Sequence, residues 1–128
     1  ETDDELAMLA AHPEHYLFRT GSDGRQEVWE TNGGSPLAAR FFIDYDDTSS
    51  LRTPPSPAYP IQVAGVARLA DGLAIGGVRH QFRDEAGGFR ALLTVEFPAV
   101  SLPTILRGHR WHLAIEFSNW IEAAARTG

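Results

Sequence analysis

The sequence predicts an α+β fold: a mostly antiparallel, curved sheet of about seven strands, with a short N-terminal helix and a C-terminal helix packed on the sheet. Three observations support this prediction. Short segments of alternating apolar and polar residues recur along the chain, turns rich in glycine join most of them, and a helical pattern occurs at each end. Hairpin turns join antiparallel neighbours, which argues against a doubly wound parallel sheet. A small closed β-barrel capped by the helix is the alternative arrangement.

The composition is that of an ordinary globular protein, and we expect a single domain over residues 1–128. The chain contains no cysteine, and all of its basic residues are arginine. Disulfides, thiolate metal sites and lysine-dependent chemistry are therefore excluded. No apolar segment approaches the roughly 20 residues that cross a bilayer, so no membrane partner is expected. The chain begins at Glu1 rather than methionine, which leaves the compartment open, with the cytoplasm favoured.

A short amphipathic helix is predicted at the N-terminus. Thr2 and Glu5 have the spacing of a capping box, in which each side chain bonds to a free backbone N–H of the first turn. Pro13 disfavours helical geometry at the residue before it, so the helix should end at His12.

The next segments predict a β-hairpin and a further strand. The hairpin has strands at residues 16–19 and 26–30 and a turn rich in glycine at residues 21–24. Residues 37–45 predict the next strand. Residues 46–60 contain four prolines, which block strand pairing, and are expected to form a surface loop.

Residues 61–97 predict three antiparallel strands joined by tight turns at 70–72 and 84–88. Three neighbouring strands are the smallest sheet that is stable without a covalent link. Apolar residues then alternate with polar ones over residues 111–118, which predicts a last strand. Ser118 and Asn119 can cap the final helix.

One short segment, residues 41–48 (FFIDYDDT), resembles the first motif of the haloacid-dehalogenase phosphatases. In that family a hydrophobic strand ends in Asp-x-Asp-x-Thr. The resemblance implies Asp44 as the nucleophile, Asp46 as the acid/base group, and a Mg²⁺-dependent site on a parallel sheet. It covers about eight residues, and the proline-rich loop that follows departs from the family pattern. A metal-dependent phosphohydrolase using these two aspartates is accordingly one functional hypothesis.

Four of the five histidines form two pairs, His12 with His15 and His109 with His112. A zinc site needs three or four converging ligands. If both residues lay on a strand, His109 and His112 would point to opposite faces, unless His109 lies in the turn before it. An approach of the first pair to His112 or Glu116 stays open, and the sequence assigns no metal ligand and no cofactor.

The charge is unevenly distributed, since residues 1–60 carry a net charge of −7 and residues 61–128 carry +1. An acidic first half argues against binding to nucleic acid and suits a basic protein partner. No catalytic constellation is recognised. We therefore predict a small, non-enzymatic protein-interaction module of the inhibitor or immunity type, with a homodimer left open. The candidate binding residues are Trp29, Glu27, Glu30, Asp44, Asp46, Asp47, Arg79, His80 and Arg90.

Two further predictions concern the sheet. If the turn at 84–88 closes simply, Phe82 faces Arg90 and His80 lies beside Leu92, which forms a basic and aromatic patch for a carboxylate or phosphate. The alternative function is a curved-sheet or barrel domain that binds a small apolar ligand. Its cavity would be lined by Phe18, Trp29, Phe41, Phe89, Leu93 and Trp111.

Overall fold

The computed structural model describes residues 3–31, 38–45, 47–98 and 103–127 and confirms the α+β class. The elements, in chain order, are α1 (Asp3–Ala10), β1 (His15–Thr20), β2 (Gln26–Glu30), β3 (Ala39–Asp44), β4 (Ile61–Leu69), β5 (Ala74–Glu85), β6 (Gly88–Glu96) and α2 (Pro103–Thr127). The described residues thus form six strands rather than about seven. The pairings of β1 with β2, β4 with β5 and β5 with β6 are all antiparallel.

The chain forms two compact units. We call Glu1–Phe42 with Ala99–Gly128 the hairpin–helix unit, and Ile43–Pro98 the meander unit. This division leaves the single domain over residues 1–128 a prediction. Neither helix, in the part of the chain that the structure describes, has the length and apolar character that crossing a membrane requires.

In the hairpin–helix unit, β1 and β2 form the predicted hairpin. Phe18 lies opposite Val28, and both side chains are buried. The turn between the strands has Gly24 at a φ of 80°, a conformation that only glycine adopts without strain. Helix α1 packs on β1 and ends at Ala10, two residues before the predicted end at His12.

The predicted strand at residues 111–118 is wrong, because these residues lie within the 25-residue helix α2. Pro103 occupies its first position, where the missing N–H costs nothing. The predicted helix start at Ser118 and Asn119 is wrong for the same reason. The buried and half-buried positions of the helix include a set that recurs every three or four residues: His109, His112, Leu113, Glu116, Phe117, Trp120 and Ile121. Three of them are polar, so the apolar residues alone show a misleading alternation.

In the meander unit, β4, β5 and β6 follow one another as predicted, with Gly72 and Gly87 at positive φ in the two turns. The register at the second turn differs from the prediction. Phe82 lies opposite Ala91, and Arg90 lies opposite Arg83. Because side chains alternate between the faces of a strand, this shift places His80 on the opposite face from Arg90. The predicted patch is therefore divided between two faces.

The loop after β3 is fixed to one face of β5. The Gln81 side chain, on a residue only 2% exposed, accepts a hydrogen bond from the Ser56 N–H at 3.1 Å. Its amide group donates to the carbonyl groups of Ser56 and Tyr59, both at 2.9 Å. Arg79 donates to the carbonyl of Thr53 at 2.6 Å. These contacts anchor the backbone of the loop, and its four prolines lie at exposed positions.

Candidate metal centre

Four metal-ligating side chains meet inside the hairpin–helix unit. His15 begins β1 and Glu30 ends β2, and the hairpin register places them opposite each other. His112 and Glu116 are four residues apart on α2, which is one helical turn, so they share a face. Local structure thus forms each pair, and the packing of α2 on the hairpin brings the two pairs together.

The distances between the two histidine nitrogens, and from each of them to the two carboxylates, match those around a tetrahedral ion. The Nε2 atoms of His15 and His112 lie 3.1 Å apart. The Glu30 carboxylate lies 3.4 Å from the first and 3.5 Å from the second of these atoms. The Glu116 carboxylate lies 3.6 Å from the Nε2 atom of His15 and 3.3 Å from that of His112. An ion with tetrahedral bonds of about 2.0–2.1 Å would hold its ligands about 3.3–3.4 Å apart.

The centre is buried and contains two carboxylates beside the two imidazoles. The side chains of His15, His112 and Glu30 are 1%, 0% and 6% exposed, and that of Glu116 is 20% exposed. Burial alone lowers the pKa of His15, but hydrogen bonds to Glu116 and Glu30 outweigh it and raise the pKa to about 9. The same balance raises the pKa of His112 to about 10.

These shifts mean that the two carboxylates require positive charge at the two Nε2 atoms. Two protons would supply it, but two protonated nitrogens only 3.1 Å apart repel each other. One divalent cation between the four ligands neutralises both carboxylates without that repulsion. Protons and a metal ion therefore compete for the same place.

Hydrogen bonds at the far side of each ring fix its orientation. The Nδ1–H of His15 donates to the carbonyl of Met8, in the last turn of α1, at 2.6 Å. The Nδ1 of His112 lies 3.2 Å from the carboxylate of Glu14 and donates to it. With the proton on Nδ1, each ring directs the Nε2 lone pair at the centre. Carbonyl and carboxylate partners of this kind orient histidine ligands in metal sites.

Glu14 is itself held by a chain of hydroxyl groups. The Thr31 hydroxyl donates to Glu14 at 3.0 Å, and the Tyr16 hydroxyl lies 3.2 Å from that of Thr31. A carboxylate only accepts, so Thr31 uses its proton toward Glu14 and Tyr16 must donate to Thr31. Tyr16 is 59% exposed, so the chain of hydrogen bonds runs from the protein surface to His112.

A second group of possible ligands, His12, Glu14 and His112, lies behind the first. The Nδ1 of His12 accepts the backbone N–H of Glu14 at 3.0 Å, so that nitrogen is already engaged. The His12 ring stacks on His112 at a centroid distance of 4.1 Å. Burial, followed by the proximity of His112, lowers the pKa of His12 and keeps its ring neutral. We therefore assign this group to the layer that supports the centre.

The sequence-predicted residues of β2 separate onto two sides of that strand. Glu30 enters the metal centre, whereas Glu27 and Trp29 lie on the opposite side of the strand. Glu27 accepts hydrogen bonds from Trp29 at 2.9 Å, from Arg40 at 2.6 Å and from Arg19 at 2.6 Å. These bonds, that from Trp29 first, lower the pKa of Glu27 to about 2. Trp29 is 40% exposed, with the Arg40 guanidinium 5.5 Å from its ring centroid.

The aspartates singled out from the sequence do not join a ligand group among the described residues. Asp44 ends β3, and Asp46 lies outside the described residues. Asp47 forms an ion pair with Arg68 and accepts the Ser49 N–H at 2.8 Å. The Ser49 bonds, with Arg68 adding to them, lower the pKa of Asp47.

The candidate basic residues of the meander unit have separate roles. Arg79 is buried and anchors the loop at Thr53. Arg90 pairs with Glu85 at 3.0 Å. His80 is half-buried on the other face of β5. Of the residues predicted to line an apolar cavity, Trp29, Phe89 and Trp111 are 40%, 41% and 51% exposed, which does not suit an enclosed lining.

Sequence reasoning assigned none of the four ligands to a metal site. It left the approach of His15 to His112 or Glu116 open and placed Glu30 among protein-binding residues. The available signal was the spacing of His109, His112 and Glu116, at i, i+3 and i+7, which is typical of one helical face. That spacing has meaning only once the segment is recognised as a helix.

No family model, curated protein or solved structure matches the chain. The local resemblance of residues 41–48 to haloacid-dehalogenase phosphatases implies a parallel sheet. The strand pairings resolved in the described residues are antiparallel, which contradicts that implication.

Proposed function

We propose that this chain is a metal-binding protein that holds one Zn²⁺ ion between His15, Glu30, His112 and Glu116. The observation that carries the proposal is that the two Nε2 atoms lie 3.1 Å from each other and 3.3–3.6 Å from the two carboxylates, close to the edge of a zinc tetrahedron. Mixed imidazole and carboxylate ligands suit Zn²⁺, whereas Ca²⁺ and Mg²⁺ take oxygen ligands.

The ion would stabilise the hairpin–helix unit. His15 and His112 are 97 residues apart, so a shared ion joins the first hairpin to α2 across most of the chain. The buried apolar residues described in this unit are only Ala11, Phe18 and Val28. Its interior also buries several charged or polar side chains: Glu5, His12, Glu14, His15, Glu27, Glu30, Thr31 and His112. When a metal binds the folded state alone, its binding free energy adds to the free energy of unfolding.

The direct test is metal stoichiometry. Protein stripped with a chelator is titrated with Zn²⁺, and bound metal is measured by elemental analysis and native mass spectrometry. We expect one ion per chain in the unaltered protein and none retained by His112→Ala after desalting. His109→Ala is the matched control, because His109 lies on the same helix and stacks near His112 without being one of the four ligands. Equal retention by both variants would contradict the assignment.

The protein-interaction module remains a second proposal, and one observation favours it. Trp29 is exposed yet fixed, by its bond to Glu27 and by the Arg40 guanidinium over its ring. Exposed tryptophan and arginine that are already ordered are typical of binding hot spots. Glu27 and Glu30 are each 5% exposed, so the support lies in Trp29 rather than in an acidic surface. Analytical ultracentrifugation tests the homodimeric form of this proposal. We expect the chain to associate as its concentration rises and Trp29→Ala to abolish that association.

A further inference from the structure

The four ligands of the metal centre are not equally secured. We infer that Glu116 is an exchangeable ligand and that a small monoanion, such as a carboxylate, takes its position on the ion. This inference rests on the proposed metal site and gives that site a second function, the reversible binding of an exogenous ligand.

The first support is exposure. The Glu116 side chain is 20% exposed, against 6% for Glu30, 1% for His15 and 0% for His112. Glu116 is therefore the ligand nearest to solvent. Its side chain extends from a helix, and a change of rotamer carries the carboxylate into water without moving the backbone.

The second support is the lack of an outer partner. Within the described residues, the polar contacts of the Glu116 carboxylate are the rings of His15 and His112, at 3.6 and 3.3 Å. When an ion binds, the Nε2 atoms of these rings coordinate it and no longer donate hydrogen bonds to Glu116. His15 keeps the Met8 carbonyl and His112 keeps the Glu14 carboxylate as outer partners. Outer partners orient and retain ligands, so Glu116 is retained by the ion alone.

The third support is the ligand set that remains. Without Glu116, the ion is held by His15, Glu30 and His112. Two histidines and one glutamate, with a fourth position free for water or substrate, are the ligands of open zinc sites. The ion and Glu30 together then carry one net positive charge. A monoanion that takes the position of the Glu116 carboxylate replaces one negative charge with another, so the net charge of the buried site is unchanged, and this identifies the charge class of the incoming ligand.

The experiment uses Co²⁺ as a coloured substitute for Zn²⁺ and azide as the monoanion. Azide is titrated into the Co²⁺-loaded, unaltered chain, and the visible and near-ultraviolet absorption is recorded. We expect a saturable spectral change with full retention of Co²⁺. An unchanged spectrum would overturn the inference, and so would release of Co²⁺ by azide. Failure of the unaltered chain to take up any Co²⁺ would instead overturn the metal site itself.

Glu116→Gln and Glu30→Gln form a matched pair, since the same change is made to two ligands of the same centre. Losing an outer-shell partner costs about 10–100-fold in metal affinity. We expect Glu30→Gln to cost more than that range and Glu116→Gln to cost less than about tenfold, with tighter azide binding. Equal losses of Co²⁺ affinity in both variants would show that Glu116 is a permanent ligand. The azide titration of the unaltered chain needs no variant, so an unchanged spectrum or a release of Co²⁺ overturns the inference even if Glu30→Gln does not fold.

Discussion

The two units of the chain bury polar side chains in different ways. In the meander unit, Gln81 is neutral, and its amide makes three hydrogen bonds to the backbone of Ser56 and Tyr59. In the hairpin–helix unit, two histidines and two glutamates face one another, and the two histidine nitrogens, 3.1 Å apart, lie as close together as His112 and Glu116 at 3.3 Å. Backbone groups of the same unit satisfy Gln81, whereas the His/Glu group needs added positive charge. Buried polarity alone therefore does not indicate a candidate site, whereas a buried group that takes up added positive charge does.

The largest expected effect is the removal of metal. In the unaltered chain, a chelator should lower the amide protection of β1, β2 and α2 and leave that of β4, β5 and β6 unchanged. A ligand that binds only the folded state stabilises it by about 4 kcal/mol at a thousandfold excess over its dissociation constant. Hydrogen exchange followed by mass spectrometry measures both units in one sample.

The same exchange experiment on His112→Ala provides the control, because a variant without the site should not respond to the chelator. Equal loss of protection in both units of the unaltered chain would remove the contrast between them. No change in either unit would show that the ion does not support the fold.

The next effect concerns the meander unit. Gln81→Leu leaves the Ser56 N–H and the Tyr59 carbonyl without this partner, whereas the Ser56 carbonyl keeps the Tyr59 N–H, and each buried unpaired group costs about 1–3 kcal/mol. We expect faster exchange at Ser56 and a lower free energy of unfolding, with unchanged Zn²⁺ binding. Gln62→Leu is the control, because Gln62 lies opposite Gln81 on β4 and is exposed. Equal effects of the two substitutions would refute the role of the buried amide.

The difference between the meander unit and the hairpin–helix unit also explains how much of the fold could be predicted from the sequence. The meander was predictable because Gly72 and Gly87 mark its turns and because apolar and polar residues alternate along β6. Helix α2 was not, because His109, His112 and Glu116 occupy positions on its inner face that apolar residues usually fill. The residues that form the centre are thus the ones that concealed its helix.

The register of β5 with β6 and the grouping of the four ligands could not be predicted, for a different reason. A one-residue difference in turn closure places Arg90 opposite Arg83 instead of the predicted Phe82. No local sequence pattern distinguishes the two registers. His15 and His112 are 97 residues apart, so their approach depends on packing that a pattern of neighbours does not contain. The sequence could indicate candidate ligands, but only the folded unit selects four of them.

A smaller effect is expected from the layer behind the ligands. Glu14→Gln removes the negative charge that holds the Nδ1–H of His112, so Zn²⁺ affinity should fall by about 10–100-fold while the stoichiometry stays the same. Thr31→Val, which removes only the hydroxyl that supports Glu14, should have a weaker effect in the same direction. Competition with a chromophoric chelator measures both affinities.

The matched control for Glu14→Gln is Glu122→Gln, the same change at an exposed position of α2. Nitrogen chemical shifts of His112 add a readout that a general loss of stability would not change. In the Zn²⁺-loaded chain the Nδ1–H of His112 donates to Glu14, so Glu14→Gln should shift the Nδ1 signal by replacing a charged acceptor with a neutral one. Unaltered shifts together with unaltered affinity would exclude Glu14 from the centre.

The smallest effect is expected at Glu27, on the other side of the hairpin from the metal centre. Its pKa of about 2 in the folded chain lies below the ordinary value of 4.5, so it stabilises the fold above that value. The contribution is lost as the pH falls from about 4.5 toward 2 and Glu27 becomes protonated. Its partners Arg19 and Arg40 are 56% and 43% exposed, so solvent and salt weaken these ion pairs.

Glu27→Gln should therefore lower the free energy of unfolding by about 1 kcal/mol or less near neutral pH, and by a smaller amount near pH 3. Urea unfolding of the metal-loaded chain at the two pH values, with and without added salt, measures the difference. Zn²⁺ stoichiometry should not change, because Glu27 projects away from the centre that Glu30 enters. If Glu27→Gln abolished metal binding, the two sides of β2 would be coupled, and the hairpin could not be treated as a passive support for its ligands.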